Sequence, residues 1–127
     1  MLTIGTPVDL YWNLHRDVFS VRSRRREDYG RVIAHVDSFR LENSFFVVNE
    51  AGRQRVLQEK RKNVHAFVRG LWLDDGNVFV GRREQVTYNP YFASYFTIKD
   101  SGKHIISSAS TLGFIEYGKP QIFAEVS

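Results

Sequence analysis

The chain contains no cysteine among its 127 residues. This absence excludes a disulfide framework, a thiol nucleophile and zinc or iron–sulfur sites ligated by cysteine. The sequence also lacks any apolar run near the roughly 20 residues that a membrane-spanning helix needs. Its start, MLTIGTPVDLYW, does not have the basic-then-apolar order of a signal peptide. We therefore expect a cytoplasmic protein that has no contact with a membrane.

Catalytic and metal-binding motifs are lacking too. The four histidines fall in different predicted elements without metal-ligand spacing, and no G-x-S-x-G elbow, Walker loop or dinucleotide fingerprint occurs. The acid pair Asp74-Asp75 precedes Gly76-Asn77, which is typical of a turn. We therefore expect a protein that is not an enzyme and holds no metal or cofactor, with slow hydrolysis by a histidine as the alternative.

What the sequence does contain is mainly strand pattern. Val8, Leu10 and Trp12 alternate with polar residues, which predicts a half-buried strand over residues 8–14. The other segments with strand or hairpin signals are 18–22, which returns as a hairpin partner; 31–48, one long bent strand or two short ones; 65–88, two strands joined at Asp75-Gly76; and the two hairpins around Ser101-Gly102 and Gly118.

One segment predicts a helix. Asn49 is a suitable N-cap, Glu50 suits the first turn, and residues 50–63 hold the best run of helix formers, weakened by Gly52. We therefore expect an α+β fold, in a single domain over residues 1–127, with a mostly antiparallel sheet and one principal helix.

The positive charge is concentrated in that segment. Residues 53–69 hold six basic side chains and one acid, a local balance of +5, whereas the other 110 residues balance at −1. A solvated helix face is one interpretation, but such a face normally mixes both signs. A bound anion would explain the imbalance, and arginine suits phosphate because its planar fork grips two oxygens while it stacks on a base.

The next strand offers further ligand-binding side chains. Strand alternation places His65, Phe67 and Arg69 on one face and Ala66 and Val68 on the other. If the first face is exposed, its residues can hold phosphate, base and ribose. The alternation fits equally well with a buried Phe67.

Two other stretches have a functional and a structural interpretation. In VTYNPY, residues 86–91, Asn89 could read a base edge while Tyr91 stacks on a base, or Asn89-Pro90 is simply a turn. Arg24, Arg25 and Arg26 form a cationic group, but Glu27 and Asp28 follow, which favours a solvated loop over a site.

Four stretches carry a resemblance to a known family: YWNLH, FSVR, EAGRQRVLQEKRKNVHAFVRG and VTYNPY, in this order. The sequence resembles small accessory proteins of phages and prophages, and within them the Thoeris anti-defence sponges. The resemblance implies a cytoplasmic protein of an infected bacterial host that binds cyclic ADP-ribose isomers made by immune TIR enzymes and withholds them intact. It further implies dimers or hexamers, nucleotide pockets near subunit contacts and a separate site for cyclic oligonucleotides.

Physical reasoning within those stretches and the segment between them assigns the ligand-binding residues. We expect Arg53 or Arg55, together with Arg61 or Arg69, to hold a pyrophosphate. Phe79 or Tyr91 would stack on adenine, and Asn89 would hydrogen-bond a base or ribose. The alternatives are a small basic nucleic-acid-binding module and a phage inhibitor of a host defence protein, of the anti-CRISPR type.

Overall fold

The fold is a single antiparallel sheet of ten described strands. The computed structural model describes residues 2–48, 51, 54, 57–58, 66–76, 83–88 and 96–125. The strands are β1 (Pro7–Asn13), β2 (Val18–Ser23), β3 (Val32–Val36), β4 (Ser38–Val48), β5 (Ala66–Asp74), β6 (Arg83–Tyr88), β7 (Phe96–Ile98), β8 (His104–Ile105), β9 (Ser108–Glu116) and β10 (Lys119–Glu125). Their order across the sheet is β3-β2-β1-β5-β4-β9-β10-β6-β7-β8.

The core lies on one face of this sheet, which curves so that distant strands pack together. The Phe46 ring of β4 lies 4.3 Å from the Phe96 ring of β7, centroid to centroid, and Phe19 meets Phe39 edge-on at 4.9 Å. The core cluster consists of alternate apolar side chains, namely Val8, Leu10, Phe19, Val21, Phe39, Leu41, Phe46, Val68, Trp72, Val86, Phe96, Ile98 and Ala124. Every member belongs to a strand, so hydrophobic burial favours the sheet.

The prediction of an α+β fold with one principal helix is therefore wrong. Ala51, Gln54, Leu57 and Gln58 are helical, but no helix of seven or more residues occurs in the ranges given above. The other residues of the predicted helix lie outside those ranges. The helix-forming residues of this segment led to the wrong fold class. Helix propensity is a weak guide to the fold here, because strands supply all the described core. Among the described residues, no helix is long and apolar enough to cross a membrane.

The predicted hairpin at Asp75-Gly76 is also wrong. β5 pairs with β1 and β4, whereas β6 pairs with β7 and β10. The turn signal itself is correct, because the Gly76 backbone N–H donates to the Asp74 side chain at 2.8 Å and Gly76 has a φ of +82°. Since β1 and β4 occupy both edges of β5, the chain after this turn has to join the sheet elsewhere.

The remaining hairpins agree with the sequence prediction. β1 pairs with β2, β7 with β8, and β9 with β10. Residues 31–48 form the two strands β3 and β4. In the β9–β10 turn, Tyr117 and Gly118 have φ angles of +53° and +72°, the two positive values that a type I′ turn requires.

Because asparagine tolerates positive φ better than tyrosine, Tyr117→Asn is expected to stabilise the fold by about 0.5 kcal/mol. Tyr117 is 94% exposed, so no packing is lost. The measurement is the urea midpoint of unfolding. Gly118→Ala is the matched opposite change and should cost about 1 kcal/mol. A midpoint for Tyr117→Asn at or below that of the original chain would contradict this account of the turn.

Candidate functional site

The strongest candidate site is a cleft of about 300 Å³ on the outer face of the sheet, opposite the core. We call it the arginine cleft and define it by Asp9, Arg22, Arg24, Tyr29, Phe67 and Arg69. These residues come from β1, β2, β5 and the loop after β2. A volume of this size lies at the lower end of the range for small-molecule sites.

Strand register brings the charged residues of the cleft together. Asp9 of β1 lies opposite Arg22 of β2 on one side and opposite Arg69 of β5 on the other. Residues directly opposite in an antiparallel pair project from the same face. The face is the outer one, since Val8 and Leu10, the neighbours of Asp9, are fully buried in the core.

Arg69 is held in a fixed position by Asp9. Its Nε donates to Asp9 Oδ1 at 2.8 Å and its Nη2 donates to Oδ2 at 3.1 Å, which is a bidentate ion pair. The hydrogen bonds to Asp9 raise the pKa of Arg69, against a smaller lowering by burial. Arg69 is therefore held in one position, and Asp9, the one carboxylate among the described residues that line the cleft, is engaged in holding it.

Arg22 lies over two aromatic rings. Its guanidinium carbon is 5.1 Å from the Tyr11 ring centroid and 5.7 Å from that of Phe67. The two rings meet edge to face with centroids 5.5 Å apart. Such cation–π contacts orient an arginine without using its hydrogen-bond donors.

Arg24 is the third cation of the cleft. Its Nε is buried and has no hydrogen-bond partner, and neither Arg22 nor Arg24 forms an ion pair within the described ranges. Buried donors are normally satisfied. Neither arginine is neutralised by a described carboxylate, so both leave positive charge at this cleft.

The loop that borders the cleft is anchored next to Arg24. Arg25 and Ser23 both donate hydrogen bonds to the Asp28 carboxylate. The bond from Arg25 has the larger effect and that from Ser23 the smaller, and both lower the pKa of Asp28. Asp28 thereby neutralises Arg25 rather than Arg24. Tyr29 follows at the mouth of the cleft with an exposed ring. The loop therefore presents one cation and one aromatic ring to the same opening.

The structure tests few of the residues predicted from the sequence. Phe67 and Arg69 lie on the outer face, while Val68 is buried in the core, which decides between the two face assignments. Phe67 lines the cleft and so does Arg69. The predicted ligand-binding residues that lie outside the described ranges, and stay predictions, are Arg53, Arg55, Arg61, His65, Phe79, Asn89 and Tyr91.

Sequence reasoning missed Asp9, Arg22 and Arg24, and assigned no role to Tyr29. The alternation of residues 8–14 already placed Asp9 on a polar face, and a hairpin register would have set it opposite Arg22. Arg24 was assigned to a solvated loop because two acids follow. In the described part of the chain, no group of three or more histidine, aspartate or glutamate side chains could hold a metal ion.

Comparison with known proteins gives a phage family. A family model described as Mycobacterium phage L5 gene 82 protein matches residues 1–117. The gene 82 protein of Mycobacterium phage L5 is 37% identical over 94 residues, covering 66% of this chain and 71% of that protein. No solved structure matches. These matches confirm the resemblance to small phage proteins.

Proposed function

We propose that this chain, which belongs to the Mycobacterium phage L5 gene 82 protein family, is a non-enzymatic sponge for cyclic nucleotide immune signals. It binds a cyclic ADP-ribose isomer in the arginine cleft and withholds the signal from its effector. One observation carries the proposal. Aromatic rings and two arginines meet at one cleft, and neither arginine forms an ion pair in the described ranges. Phosphate and base are the two chemical parts that such a cleft would recognise.

Charge complementarity supports this ligand class. The charged residues among the described ones that line the cleft are three arginines and one aspartate, which together carry a net charge of +2. The pyrophosphate of a cyclic ADP-ribose isomer carries two negative charges, which this balance would neutralise. Arg22 and Arg24 form no ion pair with a described residue and so leave their charge for phosphate oxygens, whereas Arg69 and Asp9 neutralise each other.

The rings supply the second half of the recognition. Arg22 lies over the rings of Tyr11 and Phe67, and a base could stack on the outer side of its guanidinium. Tyr29, with 67% of its surface exposed, is available to cover the other face of a bound base. Stacking of this kind contributes about 1–3 kcal/mol per base.

Among the described residues that line the cleft, none is placed for acid–base chemistry. Asp9, the one carboxylate among them, accepts both hydrogen bonds from Arg69, so it is poorly placed to take a proton from a ligand. A stoichiometric binder needs affinity rather than a general base. We therefore propose that the ligand leaves the protein unchanged.

Isothermal titration with a panel of cyclic ADP-ribose isomers and cyclic oligonucleotides tests the proposal. The complex is then heated and the released ligand is identified by chromatography. Tight, saturable binding with intact ligand is the expected result. A cleaved ligand would make the protein an enzyme, and no binding across the panel would contradict the sponge.

The second candidate function is single-stranded nucleic-acid binding, which the exposed sheet face with arginine and aromatic side chains favours. The salt dependence of the affinity distinguishes nucleotide binding from nucleic-acid binding. Affinity for a pocketed nucleotide with two phosphates should fall about tenfold or less between 50 and 200 mM salt, whereas a single-stranded backbone held at six or more phosphates loses about 300-fold or more. A steep loss for an oligonucleotide, with no binding of the panel, would favour nucleic acid. Binding of neither would favour an inhibitor of a host defence protein.

A further inference from the structure

The core of the sheet contains a cavity of about 150 Å³. Its described lining residues come from β1, β2, β4, β5 and β10, and the most deeply buried of them, each at most 4% exposed, are Leu10, Phe19, Phe39, Phe46 and Val68. Protein interiors are packed as densely as organic crystals and hold few voids larger than a water molecule. A void of this size therefore has room for more than the sheet itself places there.

The side of the cavity nearest to solvent is formed by Trp12, Pro120 and Ile122, which are half-buried. Trp12 belongs to β1 and the other two to β10, and these strands are not neighbours in the strand order. The cavity thus lies between two parts of the curved sheet, where no strand ladder joins them directly. A small molecule can enter between β1 and β10 through side-chain movement, without breaking backbone hydrogen bonds.

The lining of the cavity is apolar. None of the described residues that line it carries a charge. A charged molecule would lose its hydration in the cavity without gaining a partner, which is unfavourable. Apolar cavities of about 150 Å³ stay dry and take up a molecule of the size of benzene. Volume and polarity together therefore favour a small neutral ligand.

The lining also favours an aromatic ring. Trp12 and Phe19 meet at 5.2 Å between ring centroids with their planes at 71°, and Phe19 meets Phe39 at 4.9 Å and 83°. Edge-to-face contacts of this kind are the preferred geometry between aromatic rings. A further ring in the cavity can continue the same series of contacts, which an aliphatic molecule cannot do.

We infer that this cavity is a binding site for a neutral molecule with one aromatic ring. The site is separate from the arginine cleft, because Leu10 and Val68 face the core, whereas their neighbours Asp9 and Arg69 face the outer side of the sheet. The phosphates of a nucleotide are excluded by the uncharged lining. The inference therefore goes beyond the proposed function and does not depend on it.

Titration of the full chain with benzene tests the inference, with the methyl signals in nuclear magnetic resonance as the readout. The signals of Leu10, Val68 and Ile122 should shift to saturation with a dissociation constant on the order of 1 mM, since six carbon atoms provide limited affinity. The signals of Val47, which lines the arginine cleft, should stay in place. Benzoate has the same ring with a negative charge and should bind at least about tenfold more weakly. No saturable shift of the three cavity residues, or equal binding of benzoate, would overturn the inference.

A cavity-filling variant locates the binding. Ile122→Trp places a larger side chain in the cavity from its half-buried side and should weaken benzene binding roughly tenfold or more. Lys119→Trp, the matched change at an exposed position of β10, should bind within about threefold of the original chain. Circular dichroism checks the fold of both variants. A folded Ile122→Trp that binds benzene as tightly as the original chain would overturn the inference. If Ile122→Trp does not fold, the comparison of benzene with benzoate in the original chain decides.

Discussion

Replacing Arg22 and Arg24 together by glutamate is expected to weaken binding of the nucleotide ligand at least about 100-fold. Each substitution removes a charge-assisted hydrogen bond to phosphate, and such bonds contribute about 1.5–3 kcal/mol. Each also places a negative charge beside the phosphates. Two such losses exceed the roughly 2.7 kcal/mol that corresponds to 100-fold in affinity. Isothermal titration with the tightest ligand of the panel measures the change.

The matched control is Arg16→Glu with Lys103→Glu. Both residues are exposed and lie outside the cleft, and the double change alters the net charge by the same amount. Screening at physiological salt limits the influence of distant surface charges, so the control should bind within about threefold of the original chain. Equal loss in both double variants would mean that overall charge, rather than the cleft, determines affinity. Retained binding by the Arg22 and Arg24 variant would reject the cleft as the site.

Gly113→Ala should destabilise the fold by about 3 kcal/mol, because the added methyl group has no room. A Cβ at this position would overlap Cε1 of Phe39 and lie 2.5 Å from its Cζ. Phe39 is fully buried and packs edge-on against Phe19, so its ring cannot move without disturbing the core. The measurement is the free energy of unfolding from urea titration.

Two variants make this result specific. Ala109→Ser, at an exposed position of the same strand, should change the free energy of unfolding by less than about 0.5 kcal/mol. Phe39→Leu combined with Gly113→Ala should cost less than the sum of the two single changes, because the smaller side chain makes room for the methyl group. An unchanged stability for Gly113→Ala, or strict additivity in the double variant, would contradict the packing described for Phe39.

Much of the fold could be predicted because its signals are local. The alternation of Val8, Leu10 and Trp12 identified β1, and the glycine after Tyr117 identified the last hairpin. The pairings of β5 with β1 and of β4 with β9 could not be predicted, since they join distant segments and no local pattern specifies them. The false hairpin at Gly76 has the same cause: a correct turn does not say which strand comes next.

The residues of the candidate site also fall into those that local sequence patterns predict and those that they do not. Phe67 and Arg69 were found because they alternate along one strand. Asp9 was missed because its contact with Arg69 spans 60 residues and depends on strand register. Arg24 was discounted because Asp28 follows it, yet that carboxylate binds Arg25 instead. A count of charges along the sequence does not reveal which charges neutralise each other, because ion pairing is decided by geometry.

The central claim is that the arginine cleft holds the nucleotide, and the arginine Nε–H signals of the protein in nuclear magnetic resonance test it most directly. The chain is titrated with the tightest cyclic ADP-ribose isomer, and the signals are assigned by single substitutions. The account predicts that the signals of Arg22 and Arg24 shift to saturation at one ligand per chain, while that of Arg16 stays in place. Saturable shifts that leave Arg22 and Arg24 unaffected, or no shift in any arginine, would contradict it.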